Sequence, residues 1–379
     1  MVCAFASKGR EDSSRRDQKL LMLIQDLLKR SGAGETEDRR YLCILFAISL
    51  SLTYLHYLWI DLPNAGIRWE AHQSIIGHTA ESPYRYRILI PWLAEAVGRY
   101  AHWLTDLDPQ RGVSAGYSII LCLVLFAGLS LFQGYLRCWF ERREALLGTL
   151  FVAAMLPLTF IHYYFQPTSS LEFVSFTLGM WLIVARRPGW FLALMAVSTL
   201  NRETSLLLVV IFMICHVGRM RARPLLGWLS LYGASWLMIY GSLRWAFGMA
   251  KHVNQDRADA LTYRLMENLT TWDSYFAIGV FFGIGWWLAY QDGTKKPLLL
   301  RRALWFVPIF FAVYLICSNI HEVRYLLELC PIIVPLALMS LLGEGRTWVE
   351  SPVVEHHRPK PAISEAEAVS SQAYLFFHR

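Results

Sequence analysis

Four short stretches of the 379-residue chain gather side chains able to move protons or hold anions. The first starts at Asp61, passes Glu70, His72, His78 and Glu81, and ends on Tyr84-Arg85-Tyr86-Arg87. Asp61, Glu70 and Glu81 each suit a general base or a metal ligand, and each also suits a solvated loop acid. Arg85 and Arg87 carry forked donors that match phosphate oxygens. Beside Tyr84 and Tyr86 they equally fit an aromatic belt with snorkelling arginines. The second stretch holds His162, Gln166 and Glu172. Glu172 either meets a substrate or complements the positive start of a helix. In the third, Thr199-Leu-Asn201-Arg202-Glu203-Thr204 sets charges inside an apolar block. Neighbouring residues on a helix point about 100° apart, so Arg202 and Glu203 are each expected to pair with another segment. Such charges read as functional, or else as an ion pair that locks a bundle. The fourth is Ser318-Asn319-Ile-His321-Glu322-Val-Arg324-Tyr325, which runs on to Glu328 and Pro331. Arg324 and Glu328 have the spacing of an i, i+4 pair, and a helix start offers an anion free N–H groups.

The segments between these stretches are what must position them. Hydrophobic residues make up 55% of the chain and charged ones only 17%, below the quarter that soluble domains carry. A bilayer core about 30 Å thick needs roughly 20 apolar helical residues, and apolar blocks of that order recur along the chain. The expected fold is all-α, a polytopic helical bundle with about eight spans. These lie near 42–60, 115–136, 146–164, 170–185, 225–247, 274–291, 302–318 and 324–342. Composition disfavours a soluble enzyme, a secreted disulfide scaffold and a disordered chain.

The block 190–217 is interrupted by Asn201-Arg202-Glu203. Arg142-Arg143, Arg186-Arg187, Lys295-Lys296 and Arg301-Arg302 fall on one side when spans are counted from the basic start at Arg39-Arg40. Arg219, Arg221 and Arg223 join them only if 190–217 enters and returns as a re-entrant hairpin, with Arg202 near its tip. The same threading collects the outer loop 61–112, the turn at 162–172, the tip, the loop 250–273 and residues 319–324 on the non-cytoplasmic side. Function is expected there. Within the outer loop, Ile88 to Leu104 carries Glu95 and Arg99 and suits an interfacial helix rather than a span.

Around this domain of residues 41–343, residues 1–40 read as a charged cytoplasmic tail with an amphipathic helix from Asp17 to Arg30. No signal peptide is expected there. Residues 344–379 read as a disordered cytoplasmic extension. The net charge of +7 fits loop orientation and membrane-lipid contact rather than nucleic acid. The seven cysteines show no metal-ligand spacing, so neither disulfide nor zinc is expected. Asn268-Leu-Thr270 is a glycosylation acceptor pattern in an outer loop.

With these residues in view, His321-Glu-Val-Arg324-Tyr-Leu-Leu-Glu-Leu-Cys-Pro331 resembles the signature before a late span of GT-C glycosyltransferases. The long first outer loop with Asp61, the stretch Pro83 to Arg87 and the broken helices around Asn201 are similar to that superfamily as well. The resemblance implies an integral membrane enzyme, mannosyltransferase-like, that moves a sugar from a polyprenyl-phosphate-linked donor to a glycan, lipid or protein acceptor. A carboxylate would deprotonate the acceptor hydroxyl and cations would stabilise the departing phosphate. Asp61 is the first choice of base, with Glu70 and Glu81 held alongside. Tyr84, Arg85, Arg87, His162, Gln166, Asn201, Arg202, Glu203, His321, Glu322 and Arg324 are the substrate and phosphate candidates. Whether a divalent Mg or Mn takes part is open. A bacterial inner membrane and an endoplasmic reticulum membrane both fit. The alternative function is a transporter or flippase for a lipid-linked or anionic substrate, which should show broken helices in two related halves. A non-catalytic scaffold would explain the apolar bulk but not the one-sided crowd of acids and arginines.

Overall fold

Long apolar runs fold as helices because every backbone polar group can then be satisfied within its own segment. The computed structural model describes residues 38–160, 168–249, 260–318, 320, 322–343 and 348. It is helical throughout, with no strand among the described residues. The elements are α1 (Asp38–Asp61), α2 (Ala65–Ile76), α3 (Leu89–Thr105), α4 (Pro109–Leu136) and α5 (Arg142–Met155). Next come α6 (Ser169–Val184), α7 (Pro188–Asn201), α8 (Leu206–His216) and α9 (Ala222–Phe247). The last are α10 (Ala260–Thr270), α11 (Trp272–Phe282), α12 (Gly285–Tyr290), α13 (Leu298–Ala303), α14 (Phe306–Cys317) and α15 (Cys330–Leu342). Local chemistry sets the starts. Asp108 precedes Pro109 and accepts from the Arg111 amide, while Glu141 and Glu144 form a capping box on α5.

Four segments are long and apolar enough to cross a membrane: Asp38–Asp61, Pro109–Leu136, Leu298–Cys317 and Val323–Leu342. They mark a membrane protein. Several expected spans turn out to be shorter or broken. The run near 274–291 divides at Gly283, whose φ of +52° and ψ of −128° suit glycine. The run near 302–318 begins earlier, at Leu298, and is interrupted at Leu304-Trp305. The α-helix near 146–164 ends at Met155, where Pro157 enters a 3-10 turn. Hydropathy registers how long an apolar run is, and such backbone breaks leave no mark in it. The stretch expected from Ile88 to Leu104 is helical, forming α3 (Leu89–Thr105). Its docking onto α4 needs glycine, since a Cβ at Gly116 would lie 2.5 Å from the Ala94 carbonyl oxygen.

The block 190–217 folds as a helical hairpin. Phe191 near the start of α7 packs on Phe212 near the end of α8 at 5.2 Å, and both rings meet Tyr232 of α9. Arg202, midway between them, is the one extended residue, with φ −155° and ψ 143°. At 11 residues, α8 spans about 16 Å, half a bilayer core.

The helices run between two ends of different chemistry. At one end Asp38 pairs with Arg137 at 3.2 Å and Arg142 at 3.7 Å, and Arg302 donates to the Val217 carbonyl at 2.5 Å. Trp348 packs there on Phe140. At the other end the loop after α2, the hairpin tip and the end of α9 meet: Tyr86 donates to the Gly248 carbonyl and Arg87 pairs with Glu203. The amphipathic helix at 17–30 and nearly all of both tails lie outside the described residues.

Asn268 belongs to this end but is no open acceptor. Its side chain is buried, donates to the Leu315 and Ser318 carbonyls at 2.8 and 2.7 Å, and accepts from the Ile320 amide. Expression in glycosylating microsomes should therefore give no glycosidase-sensitive mobility shift. Asn268→Ala should destabilise by about 1–3 kcal/mol, read from detergent-solubilised unfolding, because buried polar groups lose their partner.

Candidate functional site

Two polar clusters occupy the end opposite the basic loops. The first gathers around Asp61, the last residue of α1, which is 4% exposed. Its carboxylate forms an ion pair with Arg68 of α2, and its Oδ2 lies 3.2 Å from His56 Nδ1. The Arg68 guanidinium sits over the Tyr117 ring at 4.2 Å, and His56 meets Phe160 edge-on. The Tyr117 hydroxyl is 3.0 Å from His72 Nδ1, His72 Nε2 is 2.9 Å from Glu95, and Glu95 accepts from exposed Arg99 at 2.6 Å. A cavity of about 10 Å³, water-sized, is lined by Arg68, Tyr117 and Ser170.

Burial lowers the His72 pKa against the opposing pull of Glu95. A histidine held neutral in the fold contributes stability above its ordinary pKa of about 6.5, which is lost as pH falls toward the depressed folded value. Unfolding midpoints should therefore drop on acidification through that window. His72→Gln should flatten this slope, as measured by thermal unfolding across a pH series.

The second cluster is built by the hairpin tip and the segment before α15. Arg202 is 2% exposed and lies over the Tyr325 ring at 4.9 Å; Arg324 approaches the same ring at 5.5 Å. Arg324 also pairs with Glu322, and Glu203 receives a forked contact from Arg87 at 2.5 and 3.4 Å. Behind Arg202, the buried Glu172 accepts from Asn201 at 2.8 Å and the buried Glu328 accepts from the Tyr314 hydroxyl at 2.5 Å. The charges of Arg202, Glu172 and Glu328 act on one another. One oxygen of each acid and the Nε of Arg202 have no hydrogen-bond partner among the described residues. Burial alone would raise the Glu322 carboxyl; the nearby Arg324 and Arg202 charges outweigh it and hold it below the usual range. Tyr84 faces this cluster, within electrostatic reach of Arg87, Glu322 and Arg324.

The partners anticipated for Arg202 and Glu203 thus come from other segments, Tyr325 and Arg87. The i, i+4 pair of Arg324 with Glu328 does not form. Val323–Leu329 is a 3-10 helix, with three residues per turn, so residues four apart do not align. Glu172 lies in the first turn of α6, the place expected for an acid beside a helix start, and its side chain also accepts from Asn201. Arg85 donates its Nε and Nη1 to the Ala80 and Phe247 carbonyls. Glu70 and Glu81 are exposed. His162, Gln166 and His321 lie outside the described residues.

His56, Arg68, Tyr117 and Tyr314 are members of these clusters that sequence reasoning did not single out. His56 and Tyr117, single polar residues in apolar helices, were the available signal; Arg68 sat in a loop crowded with better-known patterns. No group of three or more His, Cys, Asp or Glu side chains among the described residues is placed to hold a metal, and the acids of the second cluster are matched by arginines. The donor set of the described residues does not fit a divalent cation. Comparison of the chain with family models, with curated proteins and with solved structures gives no match in any of the three.

Proposed function

We propose that this protein is a multi-pass membrane glycosyltransferase that takes a sugar from a polyprenyl-phosphate donor on the non-cytoplasmic face. The observation that carries the reading is the meeting of Arg202 and Arg324 on one tyrosine ring, at the end away from the basic loops. In this reading the chain crosses the bilayer about eight times, some crossings being made by broken helices. The α7–α8 hairpin re-enters without crossing, and α3 lies along the interface with Trp92, Tyr100 and Trp103 turned outward.

The chemistry follows from charge. As the bond between the sugar's anomeric carbon and the phosphate oxygen breaks, the electron pair leaves with the phosphate, and positive charge develops on the sugar ring. Arg202 and Arg324 stabilise the growing negative charge in a site shielded from bulk water. The acceptor oxygen bonds to the anomeric carbon while its proton passes to a carboxylate. Asp61 serves as that base, held in orientation by His56 and Arg68. Glu203 keeps Arg87 at the rim, where Tyr84 can stack on the sugar or the acceptor.

The test is reconstitution of the full chain in vesicles carrying a radiolabelled polyprenyl-phosphate sugar. Appearance of the label in a new covalent product supports the reading. Movement of the label across the bilayer with no new covalent bond would select the transporter instead.

A further inference from the structure

The outer end carries five buried or half-buried arginines besides Arg202. Arg68, Arg87 and Arg324 each have a carboxylate partner, namely Asp61, Glu203 and Glu322. Arg85 and Arg244 have none among the described residues. Arg85 spends Nε and Nη1 on the neutral carbonyls of Ala80 and Phe247, which leaves its charge unmatched. Arg244, in the last turn of α9, lies over the rings of Tyr240 at 3.4 Å and Tyr86 at 4.3 Å. Ring stacking occupies the faces of a guanidinium, and the N–H edges of Arg244 have no acceptor among the described residues. His78 completes the group: its ring stacks on Phe247 at 4.1 Å, and its buried Nδ1 has no partner among the described residues.

These three side chains meet around one short run, since Phe247 contacts both His78 and Arg85, and Tyr86 contacts both Arg244 and the Gly248 carbonyl. The turn Tyr84–Tyr86 divides them from the Arg202 cluster, with Tyr84 facing Arg87 and Tyr86 facing Arg244. We infer that Arg244, Arg85 and His78 form a second anion subsite that takes a phosphate group. Two fixed cations without an acid, at the level where α9 ends, suit a phosphate held by forked donors rather than a neutral ligand. A phospholipid headgroup and a soluble phosphate share that chemistry. The subsite stands independently of glycosyl transfer, because it shares no side chain with Asp61, Arg202 or Arg324.

The test uses full-length protein in detergent, stripped of lipid and titrated with short-chain phosphatidylglycerol, then with inorganic phosphate, with native mass spectrometry counting bound molecules. Diacylglycerol of the same chain length is the phosphate-free control. Phosphatidylglycerol should bind saturably where diacylglycerol does not. Arg244→Gln should weaken it about tenfold, as expected for one charge-assisted contact. Arg244→Lys, which keeps the charge but loses the fork and the stacking, should fall between, and Arg111→Gln at an exposed arginine should change nothing. Binding of inorganic phosphate with the same sensitivity to Arg244 would identify a soluble source for the same site. Equal binding by wild type and both Arg244 variants, or equal binding of diacylglycerol, overturns the inference.

Discussion

Arg202→Met is expected to cost about 3–5 kcal/mol of stability and to abolish sugar transfer together. Glu172 and Glu328 are both buried, and each keeps one oxygen without a hydrogen-bond partner among the described residues. Arg202 is the cation whose charge reaches both. Removing it leaves two acids in a water-poor interior, where an uncompensated charge is far costlier than at a surface. The effect should be reversible by charge. In the Arg202→Met background, Glu172→Gln or Glu328→Gln should return a large part of the lost stability, because each removes one stranded carboxylate. Transfer should stay absent in these double variants, since nothing then meets the phosphate beside Arg324. Detergent unfolding measures the first quantity and product formation the second. Arg202→Met unfolding at the wild-type midpoint would show that the acids do not depend on this guanidinium, and the electrostatic account of the cluster would fail.

How much of this was readable beforehand differs between fold and site. Helical character and the place of the hairpin were legible because both rest on local patterns, namely apolar length and a charged interruption in it. The foreign partners of Arg202 and Glu203 were legible for the same reason: a charge in an apolar block has to be matched somewhere. The identity of those partners was not. Arg87 and Glu203 are 116 positions apart, and no spacing rule connects them. The 3-10 geometry of Val323–Leu329 was hidden as well, since its composition suits an α-helix, and that one difference sends Glu328 to Tyr314 instead of Arg324. Breaks such as Gly283 depend on a backbone angle that hydropathy does not encode. The Asn268 pattern shows the converse: a correct tripeptide whose amide is already used by the fold.

The second large effect concerns Asp61, and the obvious variant is the wrong test of it. Asp61→Asn alone removes the charge that balances Arg68, itself buried and stacked on Tyr117. Breaking a buried pair from one side costs about 3–5 kcal/mol, so loss of transfer in that variant could be loss of fold. Asp61→Asn combined with Arg68→Gln leaves a neutral amide pair of similar shape. Replacing both members of a buried pair is far less costly than removing one, so the double variant should unfold within about 1–2 kcal/mol of wild type. It should nevertheless transfer no sugar, because an amide cannot accept the acceptor's proton. Arg68→Gln alone then separates orientation from basicity: with Asp61 retained beside His56, kcat should fall while residual turnover remains. A double variant that folds and turns over normally would remove Asp61 from the chemistry and move the search for the base to Glu322, which already lies beside Arg324.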